Sequence, residues 1–177
     1  SADSHVVEPP NLWVERVPKK YRSRAPHMQS FEKGDAWVIE GAMDPINFGL
    51  NQCAGIPSEN QRSWIRWEEA RAAGYQPVAR VREMDQDQVD VEILYPTPRV
   101  ALALWWNRDD PDFHVAMLLA YNDWLSEFCS SAPDRLRGLA LIPYVGVEAA
   151  VAEVERAMKL PGICGVNIGQ YPSGGDR

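Results

Sequence analysis

The chain has 177 residues, 45% of them hydrophobic and 24% charged, a composition that excludes a disordered segment. A net charge of −7, with Lys and Arg scattered among more numerous Asp and Glu, leaves no electrostatic footprint for nucleic acid. No apolar run approaches the roughly 20 residues of a bilayer span, no basic and apolar signal segment opens the chain, and Cys53, Cys129 and Cys164, without CxxC spacing, fit unpaired thiols in a reducing cytoplasm.

In chain order, SADSHVV reads as a short opening strand that carries Asp3 and His5 two positions apart. Residues 8–30 read as an extended loop, because Pro9, Pro10, Pro18 and Pro26 exclude a long helix. Residues 35–41, DAWVIEG, alternate about a β-branched centre and predict a short strand. Glycine and proline punctuate residues 42–77, with RSWIRWEEARAA as a short helix, and the stretch 26–77 reads as an insertion after the first strand.

From Pro77 the rhythm becomes regular. Pro77 suits a first helical position, and Val78, Val81 and Met84 recur on one face. VDVEILY, residues 89–95, is a strand that stops at Pro96. A loop runs from there to Asp110, the N-cap of a helix with Pro111 at its first position and Met117, Tyr121, Trp124 and Phe128 on one stripe. LRGLALIPY, residues 136–144, is a strand of buried type. Gly146 to Leu160 is a helix with Val147, Val151, Val154 and Met158 as its apolar face, and Pro161-Gly162 ends it before the strand ICGVNI, residues 163–168. The tail QYPSGGDR is turn chemistry.

Strands alternating with amphipathic helices make βαβ units and a parallel sheet, closed either as an open doubly wound sheet or as part of a (β/α)8 barrel. A nucleotide-binding open sheet needs a glycine-rich turn after its first strand, but VVEPPNLW holds no glycine, and neither GxGxxG nor GxxxxGK[ST] occurs anywhere. The barrel is the better reading, and in a barrel the active groups sit at the C-terminal strand ends. Positions i and i+2 on a strand share a face, so Asp3 and His5 both face the lumen there. A carboxylate oxygen and an imidazole nitrogen on one face suit Zn²⁺, and equally Mn²⁺ or Fe²⁺. By itself, the same triplet also fits a turn at a frayed terminus.

Three blocks, DSHVVEPPNLW, MDQDQVDVEILYPT and YNDWLSEFCSSAPDRLRGLALIP, together resemble the amidohydrolase-related family of TIM-barrel metal enzymes, which includes aminocarboxymuconate-semialdehyde decarboxylase-like and resorcylate decarboxylase-like members. The resemblance runs from Asp3 to about Gly169 and implies the first half, about four strands, of a (β/α)8 barrel with the insertion after strand 1. It implies that Asp3 and His5 are metal ligands, with the family's further ligands, a His after the fifth strand and an Asp after the eighth, beyond the four strands seen here. It also implies a metal-dependent hydrolase or non-oxidative decarboxylase, acting on a small carboxylated or carbonyl-containing substrate, with a catalytically inactive half-barrel as the competing reading.

Other mouth positions follow from the strand ends. Glu8 is a candidate to support the metal pair or touch substrate, Tyr95, Arg99 and Asn167 are candidate substrate contacts, and Thr97, Tyr144 and Gln170 lie nearby. Trp13, Trp37, Trp64 and Trp67 belong in or near the insertion, as a lid or as its packing. His114 reads as a helix-surface residue and His27 as a loop residue. Four strands leave two open edges, so self-association, or pairing with the rest of a barrel, is expected.

Overall fold

The computed structural model describes residues 1–169. Strand β1 (Ser4–His5) leads into a short helix α1 (Leu12–Arg16), its length limited by the prolines on either side. Strands β2 (His27–Phe31), β3 (Gly34–Val38) and β4 (Ile46–Asn47) follow as an antiparallel sheet. Then come helix α2 (Pro77–Gln86), strand β5 (Glu92–Tyr95), helices α3 (Pro98–Trp106) and α4 (Pro111–Ser130), strand β6 (Leu136–Leu141), helix α5 (Val147–Ala157) and strand β7 (Ile163–Asn167).

The main sheet is wholly parallel, in the order β1-β5-β6-β7. Spatial order follows chain order without reversal. A doubly wound sheet reverses at its switch point; this one winds in a single direction, as a barrel does. Its apolar strands are covered by α4, whose Met117, Leu118, Tyr121, Leu125 and Phe128 are buried against β6 and its neighbours. The Asp110 carboxylate caps this helix, accepting the Phe113 N–H at 3.1 Å.

The YNDW block works as a clamp. Tyr121 and Trp124 enter the core, Asn122 holds the β6 backbone, and Asp123 pairs with Arg156 of α5 at 2.6 Å. The downstream APDRLRG block adds Arg135, which donates to the carbonyls of Val89 and Asp90 and pairs with Asp85, tying β6 to the approach to β5.

Several expectations change. The end of the 8–30 segment that the prolines predict as loop, from His27, belongs instead to β2, which pairs along its whole length with β3. RSWIRWEEARAA forms no α-helix but two single 3₁₀ turns, Trp67–Glu69 and Ala72–Gly74, anchored where the buried Asp35 carboxylate accepts the Trp67 N–H at 2.8 Å and faces Arg66. Residues 98–106, also taken as loop, are α3, with Pro98 at its first position and Val100, Ala101, Leu104 and Trp105 buried. On α2, Val78 is exposed and Met84 alone is fully inside.

The largest reversal is on α5. Its valine stripe faces outward, with Val147 79% exposed and Val151 50%, while Glu153 and Ala157 are buried. Asn122 donates to Glu153 at 2.6 Å, and Arg156 reaches the same carboxylate, so a paired acid takes the place that periodicity gave to valine. The turn after α5 needs its glycine: Gly162 has φ +76°, and a Cβ there would lie 2.4 Å from Cys129 Cβ. All three cysteines are free thiols, and no helix among the described residues is long and apolar enough to cross a membrane. Trp13 and Trp37 pack edge to face, 5.1 Å between ring centres, as core and not as a lid.

Candidate functional site

Strand β1 is only two residues long, but its register is tightly set. Ser4 pairs with Leu94 and His5 with Tyr95, and the Val6 N–H continues the ladder to the Tyr95 carbonyl at 3.0 Å. Beneath it, Arg80 donates to the His5 carbonyl at 3.1 Å and pairs with the nearly buried Glu92 at 2.6 Å, and Glu92 accepts from Ser4 Oγ. This Arg80–Glu92 pair escaped the sequence reading, because a charge in an alternating strand looks like a solvated face.

Asp3 and His5 converge. Asp3 Oδ1 lies 3.3 Å from His5 Nε2, with Asp3 mostly exposed and His5 about one-third exposed. His5 Nδ1 lies 2.7 Å from the Pro96 carbonyl oxygen. A carbonyl can only accept, so Nδ1 carries the proton and donates it. In the neutral ring Nε2 then presents a lone pair 3.3 Å from a carboxylate oxygen, whereas a protonated ring would form an ion pair with Asp3. Metal-bound histidines are held in this way, with the second ring nitrogen donating to a carbonyl or carboxylate. The donor types suit a divalent ion, and Asp3 and His5 are the two residues here that could hold one. Among the described residues no cluster of three or more His, Cys, Asp or Glu is placed to hold an ion.

A cavity of about 230 Å³ opens beside His5, lined among others by Tyr95, Pro96, Trp105, Asn167 and Gly169. These come from the C-terminal ends of β1, β5 and β7 and from α3, the face on which barrel sites are built. The Tyr95 ring centre lies 5.8 Å from that of His5. Gly169 lies so close to Trp105 that a Cβ would fall 1.9 Å from a ring carbon. Trp105, with Pro98, Ala101 and Leu102, makes the wall apolar; all four lie on the helix α3 that was read as loop. The sequence carries a signal for it: a proline at the first position, then apolar residues at 100, 101, 104 and 105.

Of the other residues singled out, Tyr95 and Asn167 line this cavity. Arg99 is exposed on the first turn of α3 and reaches Asn47 Oδ1 at 3.4 Å, outside the cavity. Glu8 is wholly buried; its Oε1 accepts the Thr97 N–H at 2.9 Å, while Oε2 has no hydrogen-bond partner. Burial pushes the Glu8 carboxyl above its ordinary range, and the Thr97 hydrogen bond opposes that rise. Tyr144 packs edge to face on Trp105 at 5.9 Å. Gln170 lies outside the described residues. His27 opens β2, with Nδ1 3.0 Å from the Ala25 carbonyl.

His114 is not a surface residue. It is fully buried, with Nδ1–H donated to the Asn107 carbonyl at 2.9 Å and Nε2 accepting the Tyr144 N–H at 3.0 Å. Both nitrogens are used, so it is a core histidine that ties α4 to the end of β6, and burial lowers its pKa.

No protein-family model matches the chain. A 2-amino-3-carboxymuconate-6-semialdehyde decarboxylase of Dictyostelium discoideum is 27% identical over 100 residues, 56% of this chain and 27% of the relative. A solved amidohydrolase from Mycobacterium avium subsp. paratuberculosis superposes with a TM-score of 0.61 at 22% identity, covering 89% of this chain and 45% of that one. A 2,6-dihydroxybenzoate decarboxylase from Rhizobium gives a TM-score of 0.48 at 17% identity, covering 94% of this chain and 36% of that one, too low a score to carry weight. The chain thus spans about a quarter of the length of the curated relative and under half of the solved amidohydrolase. The parallel, singly wound sheet is part of a TIM barrel, and sequence and fold together show the chain's likeness to the amidohydrolase-related family.

Proposed function

We propose that the whole protein is a divalent-metal-dependent enzyme, a hydrolase or non-oxidative decarboxylase of a small carboxylated or carbonyl-containing substrate, with Asp3 and His5 among the ligands of the metal. The observation that carries this reading is the convergence of Asp3 Oδ1 and His5 Nε2 at the C-terminal mouth, with Nδ1 committed to a backbone carbonyl. The decarboxylase named for the Dictyostelium relative supports carboxylate chemistry, and Zn²⁺ suits an Asp and His donor pair.

A bound divalent ion supplies electrophilic polarisation of a carbonyl or carboxylate, or a water acidified towards neutrality. The chain's own groups do the rest. His5 and Asp3 fix the site of charge at the rim of the cavity. Tyr95, Pro96 and Trp105 offer an apolar wall for a planar substrate, and Asn167 offers an amide for a polar substituent.

Chelator-stripped protein titrated with Zn²⁺ or Mn²⁺, with metal content read by plasma mass spectrometry, tests the reading. One ion per chain is expected, abolished by Asp3→Ala and by His5→Ala. Equal retention in both variants would sink it. Release of CO₂ from hydroxybenzoates against cleavage of esters or lactones separates the two reactions in the whole protein.

The absence of a three-ligand cluster among the described residues favours one alternative, a half-barrel that binds or folds without catalysing. Stoichiometric metal without turnover in the whole protein would select it. We place the protein in the cytoplasm, consistent with its free thiols, and propose that the open sheet edges bring self-association or pairing with the remainder of a barrel.

A further inference from the structure

Between β1 and β5 a single peptide group is gripped at both ends. The Pro96 carbonyl and the Thr97 N–H belong to one trans peptide unit, in which C=O and N–H point in opposite directions. The carbonyl accepts from His5 Nδ1 at 2.7 Å, and the N–H donates to Glu8 Oε1 at 2.9 Å. Turning this plane away from His5 therefore breaks the Glu8 bond as well. Two further bonds fix the same segment: Thr97 Oγ1 donates to the Val6 carbonyl at 3.2 Å, and the Val6 N–H donates to Tyr95 O at 3.0 Å. Of these bonds, only the one to Glu8 shares a peptide plane with the Pro96 carbonyl.

We infer that Glu8 is a positioning residue for His5, acting through the Pro96–Thr97 peptide to hold the ring in its Nδ1–H tautomer with the Nε2 lone pair turned to Asp3. Glu8 lies outside the mouth cavity and is wholly buried, so it acts without touching substrate. A carboxyl oxygen accepting the Thr97 N–H hydrogen bond also polarises the peptide, which strengthens its carbonyl as an acceptor for His5. The consequence for metal affinity rests on the proposed metal site; the tautomer does not.

The test is ¹⁵N-histidine spectroscopy on the full chain, above the ordinary imidazole range so that the rings are neutral. His114, held at both nitrogens by other partners, is the internal control. In the unaltered chain His5 shows Nδ1–H. Glu8→Leu, which removes the acceptor at similar volume, gives Nε2–H or a mixture at His5, with His114 unmoved. Glu8→Gln keeps an acceptor and restores Nδ1–H. Zn²⁺ affinity falls about 10-fold to 100-fold in Glu8→Leu. A folded leucine variant with His5 still wholly Nδ1–H overturns the inference. If that variant does not fold, the unaltered chain and Glu8→Gln decide: Nδ1–H in both supports it, and any Nε2–H in either overturns it. Failure of the unaltered chain to bind Zn²⁺ would remove the metal reading and leave the tautomer result standing.

Discussion

Asn122, in the middle of α4, grips the backbone of Leu141 with both ends of its amide: Oδ1 accepts the Leu141 N–H at 2.7 Å and Nδ2 donates to the Leu141 carbonyl at 2.9 Å. The same Nδ2 donates to the buried Glu153. One side chain thereby satisfies the end of β6 and the acid that α5 turns inward. Asn122→Leu leaves two backbone groups and a carboxylate short of partners in the core, each worth about 1 to 3 kcal/mol. We expect a loss of about 3 kcal/mol, measured as a fall in the urea midpoint; a loss below about 1 kcal/mol would show that the clamp is dispensable.

His114 makes stability sensitive to acid. Its folded pKa is lowered by burial, so the folded state resists the proton that the unfolded chain accepts. Its contribution is intact above the unfolded value near 6.5 and is lost progressively as pH falls below it. The slope from this one group cannot exceed about 1.4 kcal/mol per pH unit. Thermal melts from pH 7.5 down to 5.5, compared with His114→Gln, should show the decline in the parent and a weaker one in the variant.

Trp13 anchors the excursion to the barrel. Its ring meets Trp37 edge to face, and its Nε1–H donates to the Met117 carbonyl at 3.0 Å. Trp13→Ala should cost about 3 to 5 kcal/mol by cavity formation. Trp13→Phe keeps most of the packing and should cost about 1 kcal/mol for the hydrogen bond. Chemical denaturation separates the two, and equal losses would place the anchoring in the hydrogen bond alone.

Apolar side chains on α5 and near the cavity stand in solvent. Val147, Val151 and Met158 are joined by Trp106 at 64% exposure, and β1 and β7 each pair on one side only among the described residues. Light scattering after size exclusion should give a mass above that of one chain, falling on dilution. Val151→Lys with Met158→Lys should shift the population towards monomer if α5 forms the contact. A single monomeric peak at all concentrations would count against association.

The parallel architecture was legible because each strand from β5 onward follows an amphipathic helix, and because Asp110-Pro111 marks the start of α4 in plain chemistry. The helix α3 was hidden by the prolines on either side of Thr97, which also read as turn signals. The inward face of α5 was misread because periodicity counts valines and cannot foresee that Asn122 and Arg156 make a buried glutamate acceptable. Similarly, His114 gains its partners only when the ends of α3 and β6 meet it. At the site, Asp3 does lie near His5, but it stands in a bend just before β1, so strand alternation alone does not account for the contact. The part played by Glu8 was not legible, since it passes through a peptide group some 90 positions away in the chain.

Strand β1 is paired with a segment made far later in the chain: the Val6–Thr97 bond spans 91 positions. Closing a loop of that size costs about 4 kcal/mol of chain entropy, about 1 kcal/mol more than closing the one between β6 and β7. The pairings from β5 to β7 therefore join nearer neighbours in the chain than the pairing of β1 with β5 does. The residues that converge on the candidate ion thus sit at the strand pairing that carries the largest loop-closure cost in the main sheet.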